Sequence, residues 1–169
     1  MRSVDKAVAL ALLEPQSTGD ACLACALVAA AGAKIAESEH GVVMLNRFGA
    51  REGHLLVVAR RHVEHIHELP WPVYADLQQL AFHAVHALQA RYQPARIYTA
   101  VFGSATPRPM SYPHLHVHVV PVADASERAR STRVFSWSDG VVLYDDDEAE
   151  ALTAQLRSLW PVIARPCAR

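Results

Sequence analysis

The sequence has almost no net charge: 16 Lys and Arg against 17 Asp and Glu leave −1 at pH 7 with histidine neutral. Such a balance offers no broad electrostatic footprint for duplex nucleic acid or an anionic membrane, so neither is expected as a partner, although local anion sites remain open. A long apolar run is also missing. The longest near the N-terminus, residues 7–13, follows Asp5 and Lys6 and is closed by Glu14 and Pro15. It is too short to span a bilayer, and no small-residue cleavage pattern follows it, so the cytoplasm is the expected location. Cysteine is scarce. Cys22, Cys25 and Cys167 make an odd number in a mid-sized chain, which is not a disulfide scaffold. There is no Gly-x-Gly-x-x-Gly after a strand and no Walker-type loop, which excludes the usual glycine cradles for phosphate. No repeat or linker divides the 169 residues, and 51% are apolar, enough for one domain over residues 1–169 with a real core.

What is present is organised around Pro113-His114-Leu115-His116-Val117-His118-Val119-Val120-Pro121. In an extended strand His114, His116 and His118 share one face and Leu115, Val117 and Val119 the other, with roughly 7 Å between successive histidines from a rise of about 3.3 Å per residue. Imidazoles are poor core fillers and repel one another when protonated, so a purely structural strand has little use for three in a row.

The remaining pattern predicts an α+β domain, an antiparallel sheet with packed helices. Val4, Val8, Ala11 and Leu12 predict a short helix over residues 3–13, ended by Pro15; Asp20 is the expected cap of a second helix running into the alanine-rich residues 26–33. Residues 41–46 and 53–59 read as an antiparallel pair of strands. From Leu69 a helix follows, with Val73, Leu77, Leu80, Ala81, Ala84 and Leu88 as its apolar stripe and Asp76, Gln79, His83 and His86 facing solvent. Residues 96–102 form a strand, and a Ser-, Thr-, Pro- and Gly-bearing loop over residues 103–113 leads into the histidines. Beyond Pro121 the arginine-bearing stretch (Arg128, Arg130, Arg133) is expected as a solvated or mobile loop. A short strand over residues 141–144 follows, and then a helix with Asp145-Asp146-Asp147-Glu148 at its N-terminus.

Two constellations can carry chemistry. Cys22 and Cys25 have metal-ligand spacing, and with His62 and His114 they make a sensible tetrahedral Cys2His2 set for zinc; His65 or His67 could replace His62. A buried pair of small residues or a redox pair would give the same Cys-x-x-Cys spacing. His116 is the candidate nucleophile toward phosphorus, because a neutral imidazole with one nitrogen held as a donor leaves the other to attack. His118 could hydrogen-bond the phosphate or the leaving oxygen. A rival is an open metal site in which His114 and His116 chelate together and activate water, which leaves the cysteines unexplained. Cys167 has no evident partner.

His114-Leu115-His116-Val117-His118-Val119-Val120 resembles the His-φ-His-φ-His-φ-φ signature of the histidine triad (HIT) superfamily of nucleotide hydrolases and transferases. Leu45-Asn46-Arg47-Phe48, Gly53-His54-Leu55-Leu56-Val57 and Arg61-His62-Val63 resemble the segment before its long helix, so the likeness covers roughly residues 20–121 and leaves 122–169 as a C-terminal extension. The resemblance implies a HIT-like fold, a homodimer, and attack by His116 on the α-phosphate of a small-molecule nucleotide, giving a nucleotidyl-histidine that water resolves. The expected enzyme is a hydrolase of dinucleoside polyphosphates or AMP conjugates. Transfer to phosphate or a sugar phosphate, or nucleotide binding with weak catalysis, are the alternatives. By the same resemblance Cys22, Cys25, His62 and His114 hold a structural zinc, Asn46 meets the ribose hydroxyls, and Ser111 and His118 contact phosphate. The sequence departs from the family where an Asn or Gln commonly binds phosphate. That region reads Ala100-Val101-Phe102-Gly103, Met110 replaces a common Gln, and Arg108 is a possible substitute for the amide.

Overall fold

The computed structural model describes all residues except 18–21, 31, 33, 103–112, 127–128 and 161–169. Asp20, Met110, Arg108, Ser111, Arg128 and Cys167 thus lie outside the described residues.

Period-2 alternation builds the central sheet. Strands β2 (Ala36–Glu37), β3 (Gly41–Leu45), β5 (Leu55–Ala59), β6 (Arg96–Val101) and β7 (His116–Val122) pair antiparallel in the order β2-β3-β5-β7-β6. Val43, Leu45, Leu55, Val57, Val117 and Val119 share one face, where they bury against Leu77, Leu80, Ala84 and Leu88 of α3 (Trp71–Tyr92) and Leu152 and Leu156 of α5 (Asp146–Ser158). The other face presents Val42, Leu56 and Val58 to Ala24 and Val28 of α2 (Leu23–Ala29) and carries His116 and His118 beside them. Burial of these branched side chains, each worth about 1.5–3 kcal/mol, sets which face each strand turns inward.

A smaller sheet, order β1-β8-β4, comprises β1 (Arg2–Val4), β8 (Val141–Leu143) and β4 (Phe48–Gly49). It closes a second core with Ala9 and Leu13 of α1 (Lys6–Ser17), Val120 and Val122 of β7, and Val134 of α4 (Ser131–Phe135). The acidic run caps α5 as expected: Asp145 accepts from Glu148 N–H while the Glu148 side chain returns to Asp145 N–H.

Several sequence expectations change. The first helix starts at Lys6, after a strand, and passes through Pro15 to Ser17. The cap of α2 is Cys22, and the helix stops at Ala29 because Ala30 is extended (ψ 145°). His86 is exposed, but His83 is buried: the stripe on α3 is wider than the six residues read from sequence, and Trp160 stacks edge-on over the His83 ring. The stretch beyond Pro121 is not simply a solvated loop, since β7 continues to Val122 and α4 buries Val134 completely.

Candidate functional site

His114 sits just ahead of β7 rather than within it, yet it keeps the parity of the strand. Its neighbour Leu115 is tied to Val63 O and Ala59 N, which turns Leu115 into the α3-facing core and His114 toward α2. Cys22, as the N-cap of α2, accepts from Cys25 N–H through its sulfur, so one turn of chain brings both thiols to the same side. His114 Nδ1 lies 3.3 Å from Cys22 Sγ and 3.4 Å from Cys25 Sγ, and His62 Nδ1 lies 3.4 Å from Cys25 Sγ. All four donor atoms fall within 4.8 Å of one another. Tetrahedral zinc, with bonds of about 2.3 Å to sulfur and ~2.0 Å to nitrogen, separates its ligands by about 3.5 Å, so the set fits that ion.

The chemistry of the donors agrees. His114 Nε2–H donates to Ala59 O at 2.7 Å, which leaves its lone pair on Nδ1, facing the sulfurs. Burial lowers the His114 pKa and keeps it a neutral ligand. Burial and the adjacent Cys22 push the Cys25 thiol up, so two thiolates there call for a cation. Of the nearby histidines, His62 belongs to this group, whereas His65 and His67 stack on each other with 5.3 Å between ring centroids and are not part of it.

The other histidines form a chain. Ala50 N–H donates to His54 Nδ1 at 3.0 Å, and Asn46 Nδ2 approaches the same nitrogen at 3.3 Å while Asn46 Oδ1 accepts from Phe48 N–H. A neutral His54 therefore carries its proton on Nε2, which points at His118 Nδ1, 2.9 Å away. His118 then carries its proton on Nε2, 3.1 Å from His116 Nε2, and His116 donates from Nδ1 to His114 O at 2.7 Å. Every bond runs in one direction, and the lone pair of His116 is left on Nε2. Burial, then the neighbouring His116, pushes the His54 pKa down to about 3; burial, then His54 and His116, holds His118 well below the usual range; burial lowers His116. The neutral chain is thus the stable one. The rings of His116 and His118 lean together to 4.6 Å between centroids, closer than the spacing of their positions along the strand.

Two hollows meet at Asn46, Phe48 and Leu56. The smaller, about 60 Å³, is walled by His54, His116, His118, Phe102, Phe135 and Trp137; the larger, about 700 Å³, opens beyond Asn46 between Leu23, Leu27, Met44 and Leu143. Its size is that of a small-molecule site. Asn46 is thus on the wall shared by both. Where an amide was expected, the Phe102 ring stands 5.2 Å from that of His118, and Phe135 packs against both. Sequence reasoning used His54 only as a spacing marker and missed Phe135 and Trp137. His54 could have been found from parity, since it shares a face with Leu56 and Val58; the two aromatics carry no local signal.

Comparison with known proteins gives a consistent result. The HIT domain profile matches residues 29–125. Protein hit of Bacillus subtilis (strain 168) is 27% identical over 106 residues, covering 59% of this chain and 70% of that protein. A Zn-bound histidine triad family protein from Mycobacterium smegmatis superposes with a TM-score of 0.63 at 19% identity, over 83% of this chain and 93% of its own. A Plasmodium falciparum diadenosine triphosphate hydrolase superposes with a TM-score of 0.57 at 12% identity, over 75% and 74%.

Proposed function

This chain belongs to the HIT domain family, and on that premise we propose that it is a nucleotide hydrolase that cleaves a nucleoside 5′-phosphoryl bond through a nucleotidyl-histidine. The observation that carries the reading is the tautomer of His116: Nδ1–H is committed to His114 O, so the attacking lone pair is on Nε2 at the wall of the smaller hollow. A nucleoside lodged in the larger hollow, with its ribose at Asn46, brings its α-phosphorus to that nitrogen. The nitrogen–phosphorus bond forms as the bond to the leaving group breaks, and the His118 Nε2 proton, released from the His116 lone pair as that pair goes to phosphorus, bonds the phosphoryl or leaving oxygen as charge develops there. Water then attacks phosphorus and loses a proton to solvent, and the phosphorus–nitrogen bond returns its electron pair to His116. Ser111 is assigned to the phosphate by the family pattern. The diadenosine triphosphate hydrolase among the structural relatives supports dinucleoside polyphosphates as substrates, and the family resemblance adds AMP conjugates.

Cys22, Cys25, His62 and His114 would hold zinc, which supplies a closed structural crosslink between α2 and the start of β7. His114 then serves twice, as a ligand through Nδ1 and as the acceptor for His116 through its carbonyl. The same reading has the chain act as a homodimer; β6 at the edge of the sheet among the described residues and the exposed Trp71 and Phe82 of α3 support it.

Purified protein incubated with diadenosine polyphosphates and adenosine 5′-phosphoramidate should release AMP, and His116→Ala should lose at least about a thousandfold in rate. Equal turnover by both proteins would remove His116 as the nucleophile. Phe102 in place of an amide favours a second reading, a nucleotide-binding module with weak catalysis. Tight AMP binding without turnover across the panel would select it, and nucleoside diphosphate formed on adding inorganic phosphate would indicate transfer rather than hydrolysis.

A further inference from the structure

The hydrogen-bond chain begins at one backbone N–H, that of Ala50, and the C-terminal segment grips the residues on both sides of it. On the N-terminal side, β4 pairs with β8 through Phe48 with Leu143 and Gly49 with Val142. On the C-terminal side, Arg51 donates from Nη1 to Ala50 O at 2.7 Å and from Nη2 to Asp139 Oδ2 at 2.9 Å, so one guanidinium joins the Ala50 peptide to Asp139. Asp139 is held in turn by Arg133 at 2.5 Å and sits in a turn between Trp137 (φ 59°) and Gly140 (φ 93°). Two residues beyond Arg51, Gly53 N–H donates to the buried Tyr144 Oη at 2.9 Å. Gly53 adopts φ 75°, and a Cβ there would come within 2.6 Å of the Tyr92 ring, so this turn accepts only glycine at that position. Asp139 and Tyr144 lie outside the matched residues 29–125, in a part of the chain for which the family pattern makes no provision.

We infer that Asp139 and Tyr144 are positioning residues for the reaction: by clamping the loop at Ala50 and Gly53 they fix the direction of the histidine chain and with it the position of the lone pair on His116. This rests on the reading of His116 as nucleophile. The physical argument is that a head-to-tail chain of neutral imidazoles has two directions. With Ala50 N–H at His54 Nδ1, only one is allowed, because the reverse sets two N–H groups against each other. Once the loop moves away, His54 can take its proton on Nδ1. His54 Nε2 then becomes an acceptor, His118 must donate to it from Nδ1, and its own Nε2 can only accept from His116. The reversed chain therefore ends with a proton on His116 Nε2, which abolishes the attacking pair and leaves Nδ1 and His114 O as two acceptors facing each other. No proton is gained or lost overall; each ring keeps one.

The test measures tautomers directly. Protein labelled with nitrogen-15 histidine should show His54 protonated on Nε2, by NMR and without any substrate. In Asp139→Asn combined with Tyr144→Phe, His54 should become a mixture of tautomers, with kcat toward adenosine 5′-phosphoramidate reduced about tenfold or more while KM stays within about twofold. Asp139→Glu, which keeps the charge, should recover much of the rate lost in Asp139→Asn. Should the double variant not fold, Tyr144→Phe alone, which removes one oxygen, carries the same two readouts at smaller amplitude. The inference is overturned by a wild-type His54 protonated on Nδ1, or by a folded variant with unchanged tautomer and kcat. Absence of turnover in every protein, with the tautomer change present, would sink the proposed reaction and leave the clamp standing.

Discussion

At one end of β7 two groups of imidazoles are built from the same neutral ring and differ in where the lone pairs go. At Cys22, Cys25, His62 and His114 the donor atoms converge within 4.8 Å of one another, and His114 turns its proton outward to Ala59 O. At His54, His118 and His116 each lone pair takes a proton from the group before it, from Ala50, His54 and His118 in turn, and the last of these acceptors, His116 Nε2, lies at the wall of the smaller hollow. Convergent donors call for a cation, whereas serial donors satisfy one another and need none. The backbone carbonyl of His114 joins the two, since it accepts from His116.

The contrast can be broken at several points. The largest effect should come from the convergent group. Metal analysis of protein purified without chelators should find about one ion per chain, and Cys22→Ser with Cys25→Ser, or prolonged chelation, should remove it at a cost of about 4 kcal/mol, or roughly 8–16 °C in Tm. A metal-free protein with unchanged Tm would place the cluster among ordinary buried side chains.

The serial group should show itself next, through acid. The folded pKa of His54 lies near 3 and that of an unfolded histidine near 6.5, so below pH 6.5 the unfolded chain binds a proton that the folded chain refuses. Through His54 stability should be unaffected above about pH 6.5 and fall by a few kcal/mol between there and pH 3, and His118 and His116, which burial also lowers, should add to the fall. Urea titrations across that range check it, and His54→Phe should make the fall shallower. The same substitution leaves Ala50 N–H and His118 Nδ1 without their partner, at about 1–3 kcal/mol near neutral pH, and should lower kcat more than it raises KM.

The smallest effect belongs to a histidine in neither group. His83 is buried with no hydrogen-bond partner at either nitrogen among the described residues, and burial, then His86, lowers its pKa. His83→Phe should leave activity intact and change stability by no more than about 1 kcal/mol in either direction, since the desolvation cost it relieves is set against a larger ring beside Trp160. A loss of several kcal/mol would mean that His83 has a partner after all.

Much of this was legible in the order of residues, and the reason is periodicity. Alternation marked the strands and the face of His116 and His118, the acidic run marked the cap of α5, and the spacing of Cys22 and Cys25 with two later histidines marked the cluster. Where one local rule competed with packing, packing won. Pro15 did not end α1, and His83 turned inward because Trp160 covers it. His54, Phe135 and Trp137 came to the site through pairings of β5 with β7 and of β8 with β4, which join residues far apart in the chain.

By itself, then, the sequence determined which side chains share a face and which types of donor are present, because those follow from a repeat of two or of 3.6 residues. The tertiary structure alone decided which nitrogen of each ring carries its proton. That choice depends on a single backbone N–H or carbonyl that the folded chain sets against each ring: Ala59 O for His114, His114 O for His116, and Ala50 N–H for His54. In the proposed reaction the ligand, the nucleophile and the positioning group differ by that contact alone.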